Sequence, residues 1–182
     1  MKSLTIKQKK YLYWLLSIAS VFAISMSVYY SLGGFNDISV VTSGNNIYNV
    51  AGKEYKGRIT NDSLNTIFSE MKEMVIQKTI HGELCVINYR DGTLEEKEVH
   101  QFIGVLLGDE ISEIPGGIEV RKFESVLTYM VGLGMHPLVM PNSQKIEKLI
   151  REQASKDGNV LYDYSMEILF PDNSVMVQML KK

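Results

Sequence analysis

"YDYSMEILFPDN", Tyr162–Asn173, alternates side-chain character up to a Pro-Asp-Asn turn, the period-two pattern of a strand. Tyr162, Tyr164, Met166, Ile168 and Phe170 fall on one strongly apolar face, and Leu161, Asp163, Ser165, Glu167 and Leu169 on the other. The first face reads as core. The second carries a carboxylate in mid-strand, which is either solvated on an open surface or held by a specific partner, because burying it alone is prohibitively costly. Glu167 therefore separates a plain surface from a site.

Outward from this strand, "SVMVQMLKK" supplies a hairpin partner. Upstream, Pro141-Asn142-Ser143 opens a helix whose Ile146, Leu149, Ile150 and Ala154 form a stripe, and Asp157-Gly158 stops it. "GGIEVRKFESVLTYMVGL" before it reads as a strand. The first half has the same order. Asn61 or Asp62 caps a helix with Leu64, Ile67, Phe68, Met71, Met74 and Val75 at three- and four-residue steps. "ELCVINYR", closed by Asp91-Gly92, and "EVHQFIGVLLG" follow as strands. A strand, helix, strand, strand unit occurring twice predicts an α+β domain: tandem β-α-β-β units forming an antiparallel sheet with helices on one face. Each helix is expected to bury its stripe on the apolar face of its own strands, leaving the face of Glu167 uncovered. At about 25 cal/mol per Å² of apolar burial, a domain of roughly 135 residues holds enough core to be stable alone.

The N-terminal region has another character. "YLYWLLSIASVFAISMSVYYSL", residues 11–32, contains no charge and at 1.5 Å of rise per residue is long enough to cross a hydrocarbon layer about 30 Å thick. Tyr11, Tyr13 and Trp14 at one end, and Tyr29 and Tyr30 at the other, fall where aromatic rings prefer the two interfaces. Lys2, Lys7, Lys9 and Lys10 precede the segment, and the next basic residue is Lys53, so the charge bias puts residues 1–10 in the cytoplasm and everything after Leu32 outside. A cleaved signal peptide is the competing reading, but the apolar run is longer than a usual signal core, and no cysteine follows closely to make a lipoprotein. Residues 33–46, rich in Gly, Ser and Asn, read as a linker that ends in a short strand, with the folded domain over 47–182 and halves of about 47–110 and 116–182.

Of 19 Lys and Arg, four precede the span, leaving 15 against 21 acidic residues beyond it. That balance excludes a nucleic-acid footprint. Cys85, alone, excludes an intrachain disulfide and reads as a small buried hydrophobe. His81, His100 and His136 have no metal-ligand spacing, so neither metal nor cofactor is expected. His100 reads as a structural histidine and His136 as a loop residue.

"INYRDG" ending a strand, "HQFIGVLLG" in the next, "EIPGGIEVRKFE" at the junction and "MEILFP" near the C-terminus together resemble the GyrI-like (AraC-type effector-binding) domain over roughly Ile47 to Lys182. The resemblance implies pseudo-twofold halves with a cleft between them that takes small molecules. It also implies that Glu167, before the last I-x-x-P, is the pocket carboxylate that faces cationic aromatic ligands. Candidate rings around it are Tyr55, Tyr89, Phe123 and Tyr129; periodicity does not fix their facing, and core packing competes for each. The family's transcription factors carry a helix-turn-helix, which no neighbouring segment here supplies, and gyrase inhibition would need a cytoplasmic domain.

Three functions follow as expectations. The first is a membrane-anchored binding module for an apolar or cationic aromatic molecule. The second is a hydrolase using Glu167 with Tyr89, or with Tyr164 if a bulge turned it to the same face. The third is a scaffold whose sheet docks an unidentified membrane or surface protein.

Overall fold

The computed structural model describes residues 6–108 and 113–182. Lys2 and the end of the first half near residue 110 lie outside them. Two compact units form, one holding the N-terminal helix with Met135–Met140 and the other Ile38–Gly134 with Pro141–Lys182.

In the first unit, α1 (Ile6–Ser31) is long and apolar enough to cross a membrane over Lys9–Ser31. Its Ser17, Ser20 and Ser31 hydroxyls donate to carbonyls one turn back, at 2.8–3.0 Å, which satisfies polar groups that a lipid environment could not. The chain turns at Gly33, in the left-handed region at φ 81°, and the Leu32 carbonyl accepts from His136 N at 3.0 Å.

The second unit runs β1 (Val41–Arg58), α2 (Asp62–Ile76), β2 (Gly82–Tyr89), β3 (Glu98–Leu107), β4 (Glu119–Leu133), α3 (Ser143–Lys156), β5 (Tyr164–Leu169) and β6 (Val175–Leu180). Both helices start where capping chemistry places them: the Asn61 side chain accepts from Ser63 N, and that of Asn142 from Lys145 N, each at 3.0 Å. Gly158, at φ 73°, follows the end of α3. β1 begins ahead of Ile47, because Val41–Gly44 already pair with Leu127–Met130 of β4.

All strand pairs are antiparallel, in the order β1-β3-β2-β5-β6-β4, and β1 with β4 closes the sheet into a barrel. The order is symmetric about the β2–β5 seam, so each β-α-β-β unit builds one half. Aligning the turn residue Asp91 with Asp172 makes Val86 the counterpart of Glu167, and these two face each other across the seam. The local twofold axis thus passes through a pair that is Val in one half and Glu in the other. Where β1 crosses β3, Gly52 pairs with Gly104. A Cβ on Gly104 would lie 2.3 Å from the Ala51 carbonyl oxygen, and one on Gly52 equally close to that of Ile103. Backbone rests on backbone there, which only glycine permits.

Closure decides the layers. Met166 and Ile168 face inward, as alternation indicates, and pack with Val50, Cys85, Ile87, Phe102, Phe123 and Leu180. The apolar face of the sheet is therefore buried against itself. The helices lie on the opposite, outer face: α2 sets Met71, Leu64 and Phe68 on Leu84, Val86 and Ile103, while α3 buries Ile146, Ile150 and Ala154 over β4 and β6. This corrects the expectation that Glu167 looks out from an uncovered face. A barrel needs no helix to cover its interior, so the helix stripes take the outside, where Val86, Ile103 and Leu169 offer them an apolar platform.

Candidate functional site

Because α2 lies over β3 and β2 and α3 lies over β6 and β4, the β2–β5 seam is left between the two helices. A groove of about 910 Å³ results. Val86, Asn88, Ser165, Glu167 and Leu169 line its floor, Leu64, Asn65 and Phe68 its α2 wall, and Ser143, Gln144, Glu147, Lys148 and Arg151 its α3 wall.

Glu167 sits at the centre, half-buried. Gln101 Nε2 donates to Asn88 Oδ1 at 2.7 Å, and Asn88 Nδ2 donates to Glu167 Oε1 at 2.8 Å, an amide relay across β3, β2 and β5 that orients the carboxyl. Burial pushes the Glu167 pKa above its ordinary value; the Ser143 hydroxyl opposes this, nearby Glu147 adds to it, and Asn88 again opposes. An ionised carboxylate accepts at about four positions, so the relay leaves acceptor capacity for a ligand. Glu147 is more fully occupied: Ser165 Oγ donates to its Oε1 at 2.6 Å, and Arg90 stands 3.5 Å from Oε2.

The predicted rings are dispersed. Tyr89 lines the groove. Tyr55 is buried, its hydroxyl donating to the Arg58 carbonyl at 2.7 Å. Phe123 belongs to the barrel interior, edge-on to Tyr164 at 5.4 Å. Tyr129 is fully buried; its hydroxyl donates to Asp157 Oδ2 at 2.9 Å and accepts from Asn159 Nδ2 at 2.7 Å. Tyr55, Phe123 and Tyr129 are therefore not among the groove residues, whereas Tyr164 is. The Tyr89 hydroxyl accepts from Arg121 at 3.3 Å, while Glu167 accepts from Asn88, so the acid–base couple of the hydrolase reading is tied to two separate networks.

Arg121 closes one end of the barrel interior. It binds Glu54 at 2.8 Å and Glu119 at 2.9 Å and lies 4.3 Å over the Phe102 ring. Its hydrogen bond, then that of His100, holds the Glu54 carboxyl down to about 2. His100 Nε2 lies 2.6 Å from Glu54 Oε1, which gives this histidine a structural place.

Sequence reasoning did not find Asn88, Gln101, Leu64, Phe68, Ser143 or the α3 wall. Asn88 was open to discovery: it stands two residues from Val86 in a strand otherwise apolar from Leu84 to Ile87, so it shares the outer face. The helix walls had no such signal, since Leu64 and Phe68 read only as stripe residues.

No family model matches the chain, and no curated protein matches it. Solved structures do. The EcmrR–DNA complex aligns over 100% of this chain and 73% of its own, at 12% identity and a TM-score of 0.51. The isolated EcmrR C-terminal domain aligns over 80% of this chain and 97% of its own, at 12% identity and a TM-score of 0.50. The chain has the fold of the EcmrR C-terminal domain. SAV2435 bound to tetraphenylphosphonium aligns over 80% of this chain and 94% of its own, at 10% identity and a TM-score of 0.45. Identities this low show shared architecture alone.

Proposed function

We propose that this protein is a membrane-tethered binding module of the GyrI-like effector-binding type, which holds a small apolar or cationic aromatic molecule between α2 and α3 over Glu167. One observation carries the reading: a groove of about 910 Å³, of the size that small-molecule sites occupy, has at its centre a half-buried carboxyl oriented by an amide relay. Leu64, Phe68, Val86, Ile103 and Leu169 give the groove apolar contact surface, with Phe68 as an aromatic wall residue, while Tyr89 and Tyr164 border it and pack their side chains on the barrel interior. The uncharged run of residues 11–32, with Lys2, Lys7, Lys9 and Lys10 ahead of it and no further basic residue before Lys53, supports a single-pass anchor with the N-terminus in the cytoplasm and the barrel outside.

The test is thermal unfolding of the full chain in lipid nanodiscs against a panel of aromatic cations and neutral lipophiles. Wild type should be stabilised by members of the panel. Asn65→Trp, an exposed position on the α2 wall, should obstruct the groove and weaken or abolish the response without lowering basal stability. Responses that persist undiminished in Asn65→Trp would place binding elsewhere. Orientation is tested with a cysteine at Asp172: a membrane-impermeant maleimide should label it in intact cells, with buried Cys85 giving no background.

A further inference from the structure

The groove changes character along its length. Its floor runs from Leu169, through Val86 paired with Glu167 and Asn88 paired with Ser165, to Arg90, whose N–H donates to the Asp163 carbonyl at 2.8 Å. An apolar end gives way to the carboxyl centre at Glu167 and then to a guanidinium end, where Arg90 and Arg151 of α3 both line the groove. Glu167 and Asp163 are four residues apart, with Asp163 at a bend just ahead of β5, so their α-carbons are at most about 13 Å apart.

The cations at this end are incompletely answered. Arg90 has Glu147 at 3.5 Å, but Glu147 also takes the Ser165 hydroxyl. Arg151 has Asp163 at 3.9 Å, but Asp163 is shared with Lys182 at 3.2 Å. Among the described residues the Arg151 Nε is buried with no acceptor, and its Nη2 donates to the Tyr162 carbonyl at 3.4 Å. Burial, then the Arg90 charge, pulls the Arg151 pKa below its ordinary value although Glu147 and Asp163 act the other way. Arg90, Lys148 and Arg151 outnumber Glu147 and Glu167 in the groove lining, although the region beyond the span carries more acidic than basic residues. A buried guanidinium N–H without an acceptor is costly, and a planar oxyanion is what its fork fits.

We propose that Arg90 and Arg151 form an oxyanion subsite, so that the ligand of this groove is bifunctional: an apolar body against α2, a cationic or hydrogen-bonding group at Glu167, and a carboxylate-like group at the guanidinium pair. The proposal rests on the groove being the ligand site.

Three probes test it by calorimetry on the full chain in nanodiscs: a biphenyl with an aminomethyl group at one end, a biphenyl with a short-chain carboxylate at one end, and a biphenyl carrying at the same end the amine and, a few carbons beyond it, the carboxylate. Wild type should bind the doubly substituted probe about tenfold or more tighter than the amine alone, the scale of one charge-assisted hydrogen bond. Arg151→Gln should erase that advantage while the simple amine, relieved of a neighbouring like charge, binds as tightly or more tightly, and Arg151→Lys should restore only part of the advantage. Glu167→Gln should weaken both amines and keep their ratio. If Arg151→Gln does not fold, the largely exposed Arg90→Gln gives the same reading. Equal wild-type affinity for the two amines, or an advantage that survives both arginine substitutions, overturns the oxyanion subsite while leaving the groove intact. No binding by any probe in wild type overturns both.

Discussion

Glu167→Gln changes charge and almost nothing else. The amide keeps an oxygen where Asn88 Nδ2 donates at 2.8 Å and fills nearly the same volume. A cation seated about 4 Å from the carboxylate gains roughly 4 kcal/mol at an effective dielectric constant of about 20. Desolvation of the two ions takes back a large share. For a half-buried acid about 1–3 kcal/mol should remain, which is about 5- to 150-fold in Kd. A neutral lipophile of the same shape should lose nothing. Stability should move the other way. Burial raises the Glu167 pKa above 4.5, and a group raised in the folded state contributes stability that is complete below the unfolded value and lost as pH rises through the folded one. The wild type therefore carries at neutral pH a penalty that the Gln variant lacks, and the variant should be as stable or more stable there, with the difference vanishing below about pH 4.5. Calorimetry with a cation and its neutral analogue, together with thermal unfolding across that pH range, measures both effects. A variant less stable at neutral pH, binding the cation as tightly as wild type, would refute the reasoning: the carboxylate would then be a structural partner and not a poised ligand group.

Three further outcomes follow from the same geometry. Tyr129→Phe strips hydrogen-bond partners from Asp157 and Asn159 at a fully buried hydroxyl. It should cost about 1–3 kcal/mol, read as a drop of several degrees in Tm, with ligand affinity unchanged; weaker binding would put the ring at the site after all. Gly104→Ala forces a Cβ to within 2.3 Å of the Ala51 carbonyl oxygen and should lower stability by about 2–4 kcal/mol, measured by the denaturant midpoint; a neutral effect would mean that the β1–β3 crossing is not close-packed. Glu54, held to about 2 by Arg121 and then His100, is depressed in the folded state, so its stabilisation is present above about 4.5 and fades as pH falls toward 2. Glu54→Gln should flatten that acid limb in an acid-unfolding titration, by a small amount because the side chain is 43% exposed and solvent screens it. An unchanged limb would show that the ion pair adds nothing.

Local signals were legible in the sequence wherever they act within a few residues. The helix starts at Asn61 or Asp62 and within Pro141-Asn142-Ser143, the two helix stripes, the uncharged N-terminal segment and the inward face of Met166 and Ile168 all follow from periodicity and capping chemistry, and the duplicated order of elements follows from reading them in series. What the sequence left undetermined is how the sheet ends. A hydrophobic alternation of period two says that one face is buried but not whether helices or the sheet itself bury it, and pairing of β1 with β4 brings together Val41 and Met130, which no local pattern connects. Closure moved the helices to the face of Glu167, put Tyr129 and Phe123 into packed surroundings, and joined Asn88, Gln101, Ser143 and Arg151 into one groove. Residue chemistry named Glu167 as the group that had to be explained; only the long-range register of the strands decided what stands around it, because side-chain facing is local whereas enclosure is a property of the whole barrel.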